Sequence, residues 1–269
     1  MTALRRGDVD LADEAALEGL LREIGPREVY NLAGTSFVPR SWEEPVDVVR
    51  SATVGVTALL EAVRVVDPAI RLFQASSAEV FGVPVETPQR ETTPFAPTSL
   101  YGAAKAYGNY AVAAYRRRYS LHAGSGILFN HESPRRSADF LPSKVAHGVA
   151  AIAAGREHEL LLGDLDTPKD WGYAPDFVEA MWLMLQQDAA DDYVIATGEL
   201  HTVRELVELA FAHAGLDWRD HVRVDESLKR GQTYHLVGDP SKARERLGWE
   251  PSVSFEELVT LLVDAARSE

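Results

Sequence analysis

Short apolar runs alternate with longer stretches of helical spacing along this chain. The runs EVYNLA (28–33), RLFQAS (71–76), AGSGILFN (123–130) and DYVIATG (192–198) are rich in β-forming residues and too short for helices, so they predict strands. Their apolarity is continuous rather than alternating, which predicts strands covered on both faces and hence a parallel sheet. Between them, 11–24, 45–66, 101–119, 140–154 and 174–187 carry apolar residues at helical spacing. Strand then helix, repeated, predicts an α/β fold: a Rossmann-like, doubly wound parallel sheet. After about Gly198 the pattern shortens to TVRELVELAFAHAG, DPSKARERLGWEP and SFEELVTLLVDAARS, which predict a smaller, mainly helical lobe. The expected division is 1–198 for the sheet-bearing domain and 199–269 for the smaller lobe.

Composition changes the setting more than the fold. With 46% hydrophobic residues over 269 positions, the chain can bury a substantial core. Its formal net charge of −14, with basic runs only at 116–118 and 134–136, argues against a surface that tracks nucleic-acid phosphates. It has no cysteine, which excludes disulfides and thiolate-held zinc and points to a reducing cytoplasm. Its apolar runs stay short of the roughly 18 residues of a membrane span, and its N-terminal stretch carries no apolar signal core. Neither a membrane nor a metal is expected as a partner.

Candidate chemistry starts at SLYGAAKAYGNY, where Tyr101 precedes Lys105 by four residues. A phenol titrates near pH 10 and is a poor base at neutrality unless a cation favours the phenolate. Lys105, one helical turn on and on the same face, is placed to be that cation. A lone pair of this kind is most often an exposed amphipathic face. Here it follows a proline-rich loop, ETTPFAPTSL, and a strand ending in SSAE. Strand carboxyl ends open onto the ligand crevice of such sheets, which would bring Ser77 and Glu79 to Tyr101.

With QASSAEVFG and YGAAK the chain resembles the extended short-chain dehydrogenase/reductase superfamily. GILFNHESPRR (126–136), DWGYAPDFVEAMWLMLQ (170–186) and DDYVIATGELHTVRE (191–205) resemble, within it, the GDP-mannose 4,6-dehydratase family, from about Gly7 to the C-terminus. The resemblance implies an NADP-dependent internal redox cycle on a nucleotide sugar, with water eliminated across C5 and C6. It implies that Tyr101 takes the C4 hydroxyl proton, that Lys105 lowers its pKa and holds the nicotinamide ribose, and that Ser77 bonds the same oxygen. Glu79 is implied as the acid/base at C5 and C6. Further cofactor contacts are implied at Asp8 and Val9, at Leu32, Ala33, Gly34, Thr35 and Ser36, and at His131 and Arg136. Asn130, Lys144, Lys169 and Arg230 are implied to touch the GDP-sugar, and the assembly is implied to be a homo-oligomer. Each outlying residue has an ordinary structural alternative: Asp8 as a helix cap, His131 as a packed core histidine, Arg136 as the partner of a neighbouring acid.

The chain also departs from the family pattern. It opens at MTALRRGDVDL, which corresponds to the end of the family's third strand, so the glycine-rich cofactor turn and about two strand-helix units, roughly 55 residues, have no counterpart. An N-terminally truncated sheet is therefore expected, with an open edge at the strand over 28–33. Lys169 stands where the family uses arginine, a point charge in place of a planar fork. The stretch RGQTYHL keeps Arg230 but loses a glutamate, and Asp47 replaces a common tyrosine. Besides the dehydratase, two readings stay open: a cofactor-independent lyase or isomerase acting on a keto-sugar nucleotide, and a non-catalytic relative.

Overall fold

The structure, a computed structural model, describes residues 2–5, 7–228 and 234–268. Four parallel strands form the central sheet in the order Glu28–Asn31, Arg71–Ala75, Ala123–Leu128 and Tyr193–Ile195. Strand order follows chain order. Among the described residues, Glu28–Asn31 has a sheet neighbour on one side.

Both faces of the sheet are covered, as continuous apolarity requires. Leu72 and Ala123 pack with Leu59, Leu60, Val63 and Val112 from the helices Pro45–Val66 and Leu100–Tyr119, and with Leu17 and Leu21 from the helix Glu14–Ile24. Phe73 and Leu128 point the other way and pack with Phe177, Met181 and Met184 of the helix Ala174–Gln186. Adjacent residues Leu72 and Phe73 thus serve opposite cores, the period-two alternation of a strand buried on both sides.

The sequence sets where these helices begin. Asp13 accepts the Ala16 N–H at 3.0 Å, so the first helix begins at Glu14 rather than Leu11, and Gly25 ends it in the left-handed region at φ 55°. Pro45 occupies the first turn of the long second helix, where its missing N–H costs nothing. A second core gathers Val145, Val149, Leu160 and Trp171 with Val207, Phe211, Leu258 and Val263, from either side of Gly198. Two reciprocal caps, Thr202 with Glu205 and Ser254 with Glu257, fix the starts of its helices Val203–His213 and Phe255–Arg267. No helix among the described residues is long and apolar enough to cross a membrane.

Candidate active site

The central strand Arg71–Ala75 runs out at Ser76, whose N–H still bonds the Gly126 carbonyl at 2.8 Å. Ser77 is extended, and its hydroxyl accepts the Glu79 N–H at 3.3 Å, capping a single 3-10 turn over Ala78–Val80. Gly82 follows at φ 51°, and a Cβ there would lie 1.9 Å from the Ala96 carbonyl oxygen. Only glycine lets the strand end and the proline-rich loop close on one another. That loop is anchored again at Gln89, fully buried, whose side chain takes the Val237 N–H at 2.9 Å and gives to the Glu86 carbonyl at 2.9 Å. Glu91 then accepts the Val194 N–H at 2.8 Å, occupying a donor on the outer strand of the sheet.

The loop delivers Ser99, which caps the helix Leu100–Tyr119 by accepting the Gly102 N–H at 3.0 Å. A Cβ on Gly102 would lie 2.5 Å from the Glu79 carbonyl oxygen. This contact brings the helix against the strand end and places Tyr101 beside Ser77 and Glu79. Tyr101 is buried, and burial pushes its phenol up; a hydrogen bond from Ser77 and the charge of Arg136 oppose that push, and the Glu79 carboxylate adds to it. Lys105 Nζ lies 5.7 Å from the Tyr101 ring centroid and donates to the Ala75 carbonyl at 3.0 Å. Burial lowers its pKa to about 8. Ser77 and Arg136 are the groups that draw the Tyr101 phenol down here.

The remaining predicted residues are more scattered. Leu32, Ala33, Gly34 and Ser36 are exposed and Thr35 half-exposed, in the loop leaving the strand Glu28–Asn31. Gly34 has φ 128°, with open space where a Cβ would stand. Asp8 is exposed and accepts the Arg5 N–H at 2.7 Å, capping its own turn, while Val9 packs against the core under the first helix. His131 stacks on Phe177 at 4.8 Å, and its Nδ1 meets the Phe129 carbonyl at 2.8 Å, the packed placement; burial lowers its pKa. Arg136 approaches the buried Glu132 at 3.5 Å. Asn130 donates to the Asp170 carbonyl at 3.0 Å, and Lys144 Nζ donates to the Leu161 carbonyl at 2.8 Å. Lys169 lies on a two-residue strand paired with His201. Arg230 lies outside the described residues.

Four residues that sequence reasoning passed over shape the site. Gly102 sets the helix approach. Asn109, buried two turns after Tyr101, donates to the Ser76 hydroxyl and to the Lys105 carbonyl, tying the helix to the strand end. Glu132 and Asp170 are buried carboxylates. The only signals for these two were charges set within the apolar runs ILFNHE and DWGY, which without their partners carry no assignment. Among the described residues no group of His, Asp and Glu is arranged to hold a metal ion.

A parallel sheet carrying a serine and a glutamate at a strand end, under a helix that supplies tyrosine and lysine one turn apart, defines a protein of the short-chain dehydrogenase/reductase fold. Solved structures agree: RMD from Pseudomonas aeruginosa complexed with NADPH superposes with a TM-score of 0.90 over 99% of this chain and 89% of its own, at 22% identity, a likeness of fold. The UDP-glucose 4-epimerase of Thermus thermophilus, in complex with NAD, gives a TM-score of 0.84 at 29% identity, covering 98% of this chain and 86% of its own. GDP-mannose 4,6 dehydratase 1 of Arabidopsis thaliana is 47% identical over 260 residues, 95% of this chain and 72% of that protein. Residues 3–262 match the GDP-mannose 4,6 dehydratase family, and the chain belongs to it.

Proposed function

We propose that this chain is a nucleotide-sugar 4,6-dehydratase that converts GDP-mannose to GDP-4-keto-6-deoxymannose with NADP. The observation that carries the proposal is the convergence of Ser77, Glu79 and Tyr101 across the Gly102 contact. Proton transfer at C4 needs a phenol held against a hydrogen-bonding hydroxyl, and Tyr101 with Ser77 is that pair. Tyr101 takes the C4 hydroxyl proton while Ser77 holds the same oxygen. Once C4 is a ketone the C5 proton is acidic, and Glu79 removes it and delivers a proton to the departing C6 hydroxyl, which leaves as water. A bound dinucleotide would supply a hydride acceptor at C4 and a hydride donor at C6, and the proton that Tyr101 took from the C4 hydroxyl would return to C5, which restores both side chains.

We assign such a dinucleotide to Lys105, to Arg136 and to the loop Leu32, Ala33, Gly34, Thr35 and Ser36, an assignment supported by the exposure of that loop; His131 stands as packing on Phe177. Asn130, Lys144 and Lys169 are assigned to the GDP-sugar, and a cytoplasmic homo-oligomer is the assembly expected. The test is mass spectrometry of GDP-mannose after incubation with the chain and NADP+. A product lighter by one water that disappears in Glu79→Gln and Tyr101→Phe supports the assignment. Intact GDP-mannose after prolonged incubation refutes it.

A further inference from the structure

Glu132 has no part in the chemistry above, yet it is 2% exposed and one of three buried carboxylates among the described residues. The other two, Asp170 and Asp176, accept hydrogen bonds from backbone N–H groups. Glu132 Oε2 does not; it faces Arg136 Nε at 3.5 Å, and among the described residues neither atom has a hydrogen-bond partner. Glu132 ends the short strand Asn130–Glu132, with Tyr173 opposite it in the ladder and the ring of neighbouring His131 turned onto Phe177. Arg136 is the charged group that bears on its carboxyl. Burial pushes the Glu132 carboxyl up to about 7 against the opposing pull of Arg136, which is only partly buried, so separation would leave the carboxylate desolvated without a partner.

Arg136 is held from other directions as well. Its guanidinium lies over the Phe140 ring at 3.4 Å from the centroid, its carbonyl accepts the Ser143 hydroxyl at 2.9 Å, and its N–H bonds the Ser133 carbonyl at 2.9 Å. Phe140 meets Phe37 edge-on at 5.7 Å, which joins this segment to the loop that follows the strand Glu28–Asn31. Arg136 is also the cation whose field favours the Tyr101 phenolate.

We propose that Glu132 is a positioning residue: it fixes the Arg136 guanidinium over the Phe140 ring, in the segment that joins the site to the loop following the strand Glu28–Asn31. The consequence for turnover rests on the dehydratase reading; the pairing does not. A buried ion pair that served stability alone could be exchanged for apolar packing with little loss. A pair that serves placement cannot be exchanged without loss of rate.

The test uses the full chain with Glu132→Gln, which keeps shape and an acceptor for Nε, and Glu132→Met, which keeps length and removes charge and acceptor. In chain carrying 15N-labelled arginine, the Arg136 Nε–Hε resonance is identified by its loss in Arg136→Lys. It is expected to move in the Gln variant and to broaden beyond detection in the Met variant, with the Gln variant unfolding near the parent temperature and the Met variant below it, since Met leaves Arg136 without its partner. Turnover is expected to fall about threefold for Gln and about tenfold for Met, since small misplacements of charged groups are costly in rate. In an Arg136→Met background the same substitutions should each cost less than about twofold. A resonance indifferent to both substitutions, or an equal loss of rate in both backgrounds, would overturn the proposal. A parent without turnover, but with an Arg136 resonance that responds to Glu132, would defeat the dehydratase reading and uphold the pairing.

Discussion

Replacing Asp170 by asparagine tests how the two cores are joined at the site. Asp170 is fully buried. Its Oδ1 accepts the Thr197 N–H at 3.0 Å and the Thr197 hydroxyl at 2.6 Å, while Oδ2 accepts the Gly198 N–H at 3.1 Å and the Gly238 N–H at 3.2 Å. Asparagine has one acceptor oxygen where aspartate has two. If its amide nitrogen faces the glycines, two buried N–H groups lose their acceptor. If it faces Thr197, the hydroxyl can rotate to accept, and one backbone N–H is stranded. The second arrangement is cheaper: about 1–3 kcal/mol for the stranded donor, and several tenths more for each bond that passes from a charged to a neutral acceptor. The sum is about 2–4 kcal/mol, or a fall in Tm of roughly 4–8 °C for a chain of this size. Differential scanning calorimetry at pH 7.5 on parent and Asp170→Asn measures it, with Thr197→Val as a control that removes the hydroxyl alone and should cost less. Because Asn130 donates to the Asp170 carbonyl and Lys169 precedes it, activity should fall with stability. An Asp170→Asn chain that unfolds within about 1 °C of the parent would refute the reasoning, since the stranded donor alone is worth more than that.

Lys105→Met should stabilise the chain near neutrality while abolishing turnover. The folded-state pKa of Lys105, about 8 against an ordinary 10.5, means that the folded protein pays to keep it charged below pH 8. The parent should therefore gain stability as pH rises from about 8 towards 10.4, the variant should not, and the gap between them, up to about 3 kcal/mol at pH 7, should close by pH 10 in thermal melts at several pH values. Gly102→Ala and Gly19→Ala should have opposite signs. Gly19 has open space around its missing Cβ, so alanine there should add about 0.5–1 kcal/mol, whereas at Gly102 the Cβ meets a backbone oxygen and should cost about 1–3 kcal/mol. Tyr101 adjoins that clash, so Gly102→Ala should also lower kcat about tenfold or more, measured at saturating GDP-mannose.

The sheet was legible because its strands are apolar on both faces, and the helix Pro45–Val66 matches its expected span at both ends, since Pro45 occupies the first turn and Asp67 follows the last. The strands were read too long at their carboxyl ends: 28–33 stops at Asn31, 192–198 at Ile195, and 123–130 at Leu128, after which Asn130 begins a separate pairing with Trp171. Those ends leave the sheet, and apolar periodicity does not register the loss of a neighbour. The strands Leu160–Leu162 and Val222–Val224, three residues each, are too short to carry a period. The proximity of Ser77, Glu79, Tyr101 and Lys105 was readable because two local motifs carry them. Asp170 and Glu132 were not, because the role of a buried carboxylate is defined by its partners, and Thr197 and Gly238 are remote from Asp170 in sequence.

The charge distribution gives these local contacts their weight. A chain of formal charge −14 repels a polyanionic ligand at long range. Physiological salt screens that repulsion beyond about 8 Å, so binding depends on the few cations inside the crevice. Their capacities differ. Lys144 is engaged with the Leu161 carbonyl, and Lys105 is partly neutral near pH 8. Arg136 carries a guanidinium, which can offer a planar fork to phosphate. The fixed cation therefore has to be the one that is accurately placed, and Arg136 alone of the three is held by an aromatic face, a backbone turn and a buried carboxylate together. Raising the ionic strength should then weaken the general repulsion more than it weakens this sheltered contact, so that association of the dinucleotide is not slowed by added salt in the way that an exposed basic patch would be.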